Sequence, residues 1–245
     1  MNNPVPSNAL FPRVCVTLVD GTKVVVPDSI DLMTPYVLAE QNDWFEDELK
    51  FLRHVLRPGE RVIDIGANYG VFALCMARAV GASGRVWAFE PASATASMLA
   101  SGIAANEFSQ VVLERRALSN RSGTAELSLN NHSELNSLVR GDNPGSSVET
   151  VGLTTLDECL ERYEWRDIAF VKIDAGGTAI APEQPNRRVA SASLAAAGLS
   201  AVNDLAYSGR LRQGATASRL PFIARPLPSS AMASGSQAST PGGSK

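Results

Sequence analysis

Apolar and polar positions alternate along RVCVTLVD and again along TKVVVP, on the two sides of Asp20-Gly21. Alternation of period two predicts strands. Asp-Gly between two β-branched runs predicts a hairpin, because both turn positions tolerate positive φ. Pro27 ends the second strand. The period then changes. In DWFEDELKFLRHVLRPG, Trp44, Phe45, Leu49, Leu52, Val55 and Leu56 recur at helical spacing, and Pro58-Gly59 stops the helix. From Glu60 to about Ala175, strand-like and helix-like segments take turns. Strands are predicted at 61–65, 85–89, 111–115 and 168–173, and helices at 69–80, 93–105 and 155–162. This order implies an α/β fold whose mainly parallel sheet is covered on both faces. Between the third and fourth strands lies a polar stretch, 119–150, with strand-like pieces at 124–129 and 149–153 around a loop rich in Asn, Ser and Gly. Insertions of this length are often functional.

The pattern ends at Gly176, where Ala, Ser, Gly, Pro and Arg take over. Seven of the 22 basic residues but two of the 25 acidic ones lie beyond Ala175, so the tail is basic and the rest acidic. The final PLPSSAMASGSQASTPGGSK has the low complexity of a disordered segment. Within the tail, 191–207 suggests a helix through Leu194, Leu199, Val202 and Leu205, and no strand is evident. The expected organisation is therefore a hairpin and helix over 1–57, an α/β domain over 58–175, and a disordered tail over 176–245.

The totals exclude several classes. A chain of 245 residues, 44% hydrophobic and with a net charge of −3, suits one soluble α/β domain and has no overall basic field to gather nucleic acid. The start MNNPVPSN is polar and broken by proline, so no signal peptide is expected. No apolar run approaches the ~20 residues that span a bilayer. Cys15, Cys75 and Cys159 lie far apart without metal-type spacing. They fit a reducing, cytoplasmic setting, and no metal is expected. Cys75, in an apolar helix pattern, reads as a small core residue.

The candidate chemistry is concentrated in VIDIGANYG, Val62–Gly70. Val62, Ile63 and Ile65 form a buried strand, and Gly66 and Gly70 bracket a tight turn into a helix. A turn without Cβ atoms lets the backbone approach a ligand, and the free N–H groups of the helix N-terminus face a carboxylate or phosphate. Asp64 at the strand's end can accept hydrogen bonds from an ammonium group. About 20 residues on, the second strand ends at Glu90-Pro91, where a carboxylate takes both ribose hydroxyls of an adenosine. Nicotinamide dehydrogenases share this acidic position but want G-x-G-x-x-G, so that a pyrophosphate can sit on the turn. Here Asn68 stands at the middle glycine and Asp64 brings negative charge close to the phosphate positions. Both favour S-adenosylmethionine over NAD. The plainer reading is that Asp64 and Glu90 only cap turns.

With these pieces in place, the chain resembles the FkbM family of S-adenosylmethionine-dependent methyltransferases. WFEDELKFLRHVLRPGERVIDIGANYG, VWAFEP, RRALSN, and TTLDECLE before FVKIDA carry the likeness, over about Asp43 to Ala175. The resemblance implies a Rossmann-like class I methyltransferase sheet and methyl transfer to a hydroxyl of a small-molecule or glycan acceptor, often a sugar or secondary metabolite. It implies cofactor contacts from Asp64, Gly66, Asn68, Gly70 and Glu90, adenine contacts from Ala117 and Leu118, and Asp174 facing the transferred methyl group. Members continue the fourth strand as KIDxEG; this chain reads KIDAGG, with Gly176 in the glutamate's place. Beyond it no family pattern continues, so the C-terminal half of the sheet is expected to be missing, as after an out-of-frame or aberrant junction.

An O-methyltransferase aligns an acceptor oxygen and can remove its proton. His132 in NNHSELNSL and Asp174 are the candidate bases. The plainer readings are a solvated loop histidine and a cofactor-site carboxylate. His54, the acidic group Glu46, Asp47 and Glu48, and the pair Arg115-Arg116 read as surface groups, and Trp44 and Phe45 as core.

Overall fold

The computed structural model describes residues 12–129 and 147–174, together with the backbone of 209–210. The chain begins with a hairpin, β1 (Arg13–Thr17) and β2 (Lys23–Pro27), followed by helices α1 (Met33–Gln41) and α2 (Asp47–Val55). An alternating run comes next: β3 (Arg61–Ile65), α3 (Val71–Val80), β4 (Arg85–Phe89), α4 (Ser93–Ala105) and β5 (Val111–Glu114). Three strands then form a small separate sheet: β6 (Arg116–Leu118), β7 (Gly123–Leu129) and β8 (Ser147–Thr154). Helix α5 (Leu156–Tyr163), strand β9 (Ile168–Ile173) and the two-residue β10 (Gly209–Arg210) complete the described chain.

The main sheet has the order β10-β9-β3-β4-β5. Its four longer strands are parallel, as the β-α alternation predicts, and β10 runs antiparallel to β9. Both faces are covered, so the strands are apolar at successive positions. Val62, Val86, Ala88 and Phe170 face a core shared with α3, α4, the hairpin and α2. Ile63, Ile65, Trp87, Phe89, Ile168 and Val171 face a second core with Leu156, Cys159 and Trp165. Cys75 is buried in the first core, in line with its place in the helix pattern. The mixed α/β class and the mainly parallel sheet are those read from the sequence.

Several local expectations change. The hairpin turn spans five residues, because the strands stop at Thr17 and resume at Lys23. Only Gly21 takes positive φ (82°), and the Asp20 carboxylate instead accepts from the Thr22 amide at 2.8 Å. The helix predicted over 43–57 is confined to Asp47–Val55. Ahead of it, α1 was not anticipated. It buries only Thr34, Pro35 and Leu38, too narrow a stripe to show as a period, and Pro35 sits in its first turn, where a missing N–H costs nothing. Phe45 is 48% exposed rather than core. The pieces predicted at 124–129 and 149–153 are real strands that pair with each other, and β6 joins them where the chain leaves β5 at Arg115. Strand β10 is a further correction. The tail holds a short strand after all, so β9 is not wholly an open edge: Gly209 and Arg210 lie opposite Val171 and Phe170. The rest of the tail, including the helix suggested at 191–207, lies outside the described residues.

The N-terminal segment is fastened by polar contacts that satisfy exposed backbone. Asn106, at the end of α4, bonds both backbone groups of Lys23. Arg78 of α3 reaches Thr22 Oγ1 at 2.8 Å and the Gly21 carbonyl at 2.7 Å. Gly102 lets α4 pack closely on α3 beside the hairpin, since a Cβ there would fall 2.8 Å from Leu74 Cδ1. Arg53 of α2 makes a bidentate pair with Asp43 (2.7 and 2.8 Å) and a third bond to Asp20 at 2.6 Å. All three of these side chains are less than one-fifth exposed. Removing the guanidinium would leave two carboxylates half-buried and unpaired. Arg53→Ala is therefore expected to lower stability by about 3 kcal/mol, read by urea denaturation. Lys50→Ala, which breaks the exposed pair with Asp47, should change it by less than ~1 kcal/mol. Equal effects from the two variants would refute this account.

Candidate functional site

The chain passes from β3 outward to β4 and β5, then returns to place β9 on the other side of β3. Between β3 and β9 the winding reverses. In open α/β sheets, ligands bind at such a switch point, outside the carboxyl ends of the strands. Three segments meet there: Gly66–Gly70 after β3, Glu90-Pro91 after β4, and Asp174 after β9.

The turn after β3 is held by its neighbours. The amides of Gly66 and Ala67 both donate to the Phe89 carbonyl, at 3.0 and 2.9 Å, and the Asn68 amide donates to Glu90 Oε2 at 2.9 Å. On the other side, the Asp174 amide donates to the Ile65 carbonyl at 2.9 Å. Gly66, Asn68 and Gly70 all have positive φ (79°, 52° and 91°). Glycine is required most plainly at Gly70, the N-cap of α3: a Cβ there would fall 2.3 Å from Leu99 Cδ1. Asn68, at the place of a dinucleotide fold's middle glycine, takes the left-handed conformation that asparagine tolerates. No side chain caps the N-terminus of α3 and no acidic residue lies in its first turn. Its positive end is thus left for an anionic group.

The site's carboxylates sit at three depths. Asp64 is fully buried, its Oδ1 receives Lys172 Nζ at 3.2 Å, and its Oδ2 has no hydrogen-bond partner of normal geometry among the described residues. Burial raises its pKa, opposed by the Lys172 charge and by the Ala73 amide. Glu90 is 7% exposed, with Oε1 accepting from the Ala92 amide at 3.0 Å and Oε2 from Asn68. Burial pushes its pKa up to about 7, against the pull of those two amides. Asp174 is exposed, with 67% of its side chain open.

Lys172 was not singled out in the sequence. It lies directly opposite Asp64 in the β3–β9 register, 3.8 Å from Asp174 Oδ2 and 4.6 Å above the Phe72 ring, with only 9% of its side chain exposed. The signal was present: Lys172 follows Phe170 at period two, on a face of the strand that had to be buried.

The remaining candidates are dispersed. Ala117 and Leu118 are buried in β6, and Leu118 packs in the second core with Phe89 and Leu156. His132 lies outside the described residues. His54 and Asp47 are exposed on α2, and Glu46 accepts from the Trp44 indole. Trp44 stacks edge-on against Phe72, the ring beneath Lys172. Arg116 is held by Glu114 through two bonds of 2.7 Å, and Arg115 donates to the Ser93 carbonyl. Cys15, Cys75 and Cys159 are free thiols. Among the described residues, no helix is long and apolar enough to cross a membrane.

Comparison with known proteins agrees with the resemblance. A family model described as the Methyltransferase FkbM domain matches residues 64–180. No curated protein sequence matches. Similar solved structures include an S-adenosylmethionine-dependent O-methyltransferase from Thermotoga maritima, at 23% identity, 43% of this chain, 41% of that one and a TM-score of 0.29. Another is P. horikoshii TYW2 in complex with MeSAdo, at 20% identity, 43% of this chain, 36% of that one and a TM-score of 0.32. A third is an S-adenosylmethionine-dependent methyltransferase from Aquifex aeolicus, at 20% identity, 32% of this chain, 39% of that one and a TM-score of 0.26. The chain thus spans about two-fifths of the length of these proteins.

The burial of Glu90 has a consequence for stability. Its folded pKa of about 7 lies above the ordinary value of 4.5, so its stabilising share is fully present below pH 4.5 and is lost as pH rises through about 7. Asp64 acts in the same direction. Glu90→Gln is therefore expected to flatten the fall in urea midpoint between pH 5 and 8 without abolishing it. An unchanged slope would show that Glu90 is already ionised in the folded protein.

Proposed function

We propose that this chain, a member of the FkbM methyltransferase family over residues 64–180, binds S-adenosylmethionine at the switch point and transfers its methyl group to a hydroxyl of a small-molecule or glycan acceptor. The observation that carries the reading is the convergence of the glycine turn, Glu90 and Asp174 at the carboxyl ends of three adjacent parallel strands. The free α3 N-terminus suits the cofactor's carboxylate, and Glu90 its ribose hydroxyls. Each Glu90 oxygen keeps a lone pair after accepting one amide. Gly70, with no room for a Cβ against Leu99, lets the turn enter α3 at positive φ and so places that N-terminus beside the turn. Asp64, closed off and paired to Lys172, acts from beneath the turn. Its negative charge favours the cofactor's positive end without an exposed oxygen to touch it.

When bound, S-adenosylmethionine supplies an electrophilic methyl group on its sulfonium. The protein's own part is alignment and proton handling. Asp174, exposed at the mouth, would accept a hydrogen bond from the acceptor hydroxyl and take up its proton. Lys172 below it orients the carboxylate. His132 is a second candidate base, outside the described residues. The free thiols accord with a cytoplasmic location.

A second reading, a cofactor-binding chain without transferase activity, is favoured by Gly176, where the family resemblance implies a glutamate. Calorimetric titration with S-adenosylhomocysteine, alongside transfer of labelled methyl groups to a panel of sugars and phenols, separates the two. Binding without transfer supports the second reading, and binding of NADH in place of S-adenosylhomocysteine overturns both. Hydroxyls that donate to Glu90 favour its ionised form. Affinity for S-adenosylhomocysteine is therefore expected to rise with pH through about 7. Glu90→Gln should remove that rise and weaken binding by about tenfold or more.

A further inference from the structure

At the opposite end of the sheet from the switch point, where β3 and β4 begin, lies a cavity of about 470 Å³. Its described lining is Arg61, Ser83, Gly84, Arg85, Trp87, Arg162, Tyr163 and Glu164. We propose that this cavity is a second binding site, separate from the switch point, that takes a small phosphomonoester.

Charge is the first argument. Three guanidinium groups and one carboxylate line the cavity, an excess of two positive charges. A phosphomonoester carries about −1.5 to −2 at neutral pH, which balances this excess; a carboxylate ligand would neutralise only half of it. The arginines are also placed against their mutual repulsion. Arg61 and Arg85 are direct register partners on neighbouring parallel strands, and like charges so placed are destabilising unless an anion lies between them. Among the described residues, the one ion pair made by these arginines is long and its carboxylate is already engaged. Arg162 meets Glu114 only at 3.6 Å, and that carboxylate already takes Arg116 at 2.7 Å and the Tyr163 hydroxyl at 2.5 Å. Arg61 makes one long bond, 3.4 Å, to the Arg166 carbonyl.

Shape is the second argument. The cavity lies within the ~300–1,000 Å³ of small-molecule sites and is much larger than a bare phosphate. Beside the arginines, the wall continues onto Trp87 and Tyr163, whose rings lie 6.0 Å apart and join Trp165 in one aromatic cluster. A charged head with an apolar or aromatic body matches that division. Gly84, which also lines the cavity, packs against α3, since a Cβ there would fall 2.5 Å from Val80 Cβ and 2.6 Å from the Glu60 carbonyl.

The test uses the full chain saturated with S-adenosylhomocysteine, or without it should none bind, so that the result does not depend on the methyltransferase reading. Phenyl phosphate, inorganic phosphate and benzoate are titrated by calorimetry, with tryptophan fluorescence as a second readout. Phenyl phosphate is expected to bind more tightly than either of the others, and more weakly as salt is raised. Arg85→Ala with Arg162→Ala should weaken it by about tenfold or more, with the urea midpoint not lowered and the S-adenosylhomocysteine affinity unchanged. Equal affinity in the double variant, equal affinity for benzoate, or no heat with millimolar phenyl phosphate would each overturn the assignment.

Discussion

The structure depends on how the turn after β3 satisfies its backbone. Leaving the sheet, this segment has no strand partner of its own, and it borrows one from β4. Gly66 and Ala67 share the Phe89 carbonyl, and Asn68 takes the Glu90 carboxylate. Three residues are thereby held in a conformation with φ positive at both Gly66 and Asn68, directed by the end of a neighbouring strand. Left-handed backbone costs energy for any residue with a side chain, and the bonds to β4 offset that cost. They also explain why Glu90 is buried. It serves as an acceptor for two amides before it serves any ligand, so the plainer reading of a turn cap and the functional reading describe the same carboxylate.

Charge in the site is graded by depth. Asp64 is enclosed and paired with Lys172, Glu90 is enclosed among amides with a pKa near neutrality, and Asp174 stands in solvent. A buried ion pair such as Asp64–Lys172 adds little net stability over apolar residues of the same size, because both ions lose their hydration. What the pair does supply is position: it joins β3 to β9 at the register step where the winding reverses. Phe72 in the first turn of α3 lies beneath the ammonium group, and Trp44 packs on Phe72. The N-terminal segment is linked through these rings to the site.

The cavity at the other end of the sheet follows from the same architecture. Parallel strands in register begin as well as end together, so Arg61 and Arg85 are brought side by side as unavoidably as Gly66 and Glu90 are. At the carboxyl ends that alignment gathers acceptors and helix amides. At the amino ends of these strands it gathers guanidinium groups around the Trp87–Tyr163 wall.

By itself the sequence determined the α/β class, β3, β4, β9 and α4 to the residue, and the glycine turn with Glu90 at its companion strand. These features rest on local causes: periods of two and 3.6, turn residues, and the spacing of a βαβ unit. Tertiary structure alone decided the rest. The pairing of Lys172 with Asp64 needs residues 108 apart, and nothing local to either predicts the other. The burial of Asp64 is of the same kind, because a strand-end carboxylate reads as available until a second strand covers it. Helix α1 buries too little to leave a period, and β6 is defined by the partner it finds in β8 rather than by its three residues. Strand β10 exists only as a complement to the edge of β9, and that open row of backbone groups can recruit two residues from a segment whose composition shows no strand.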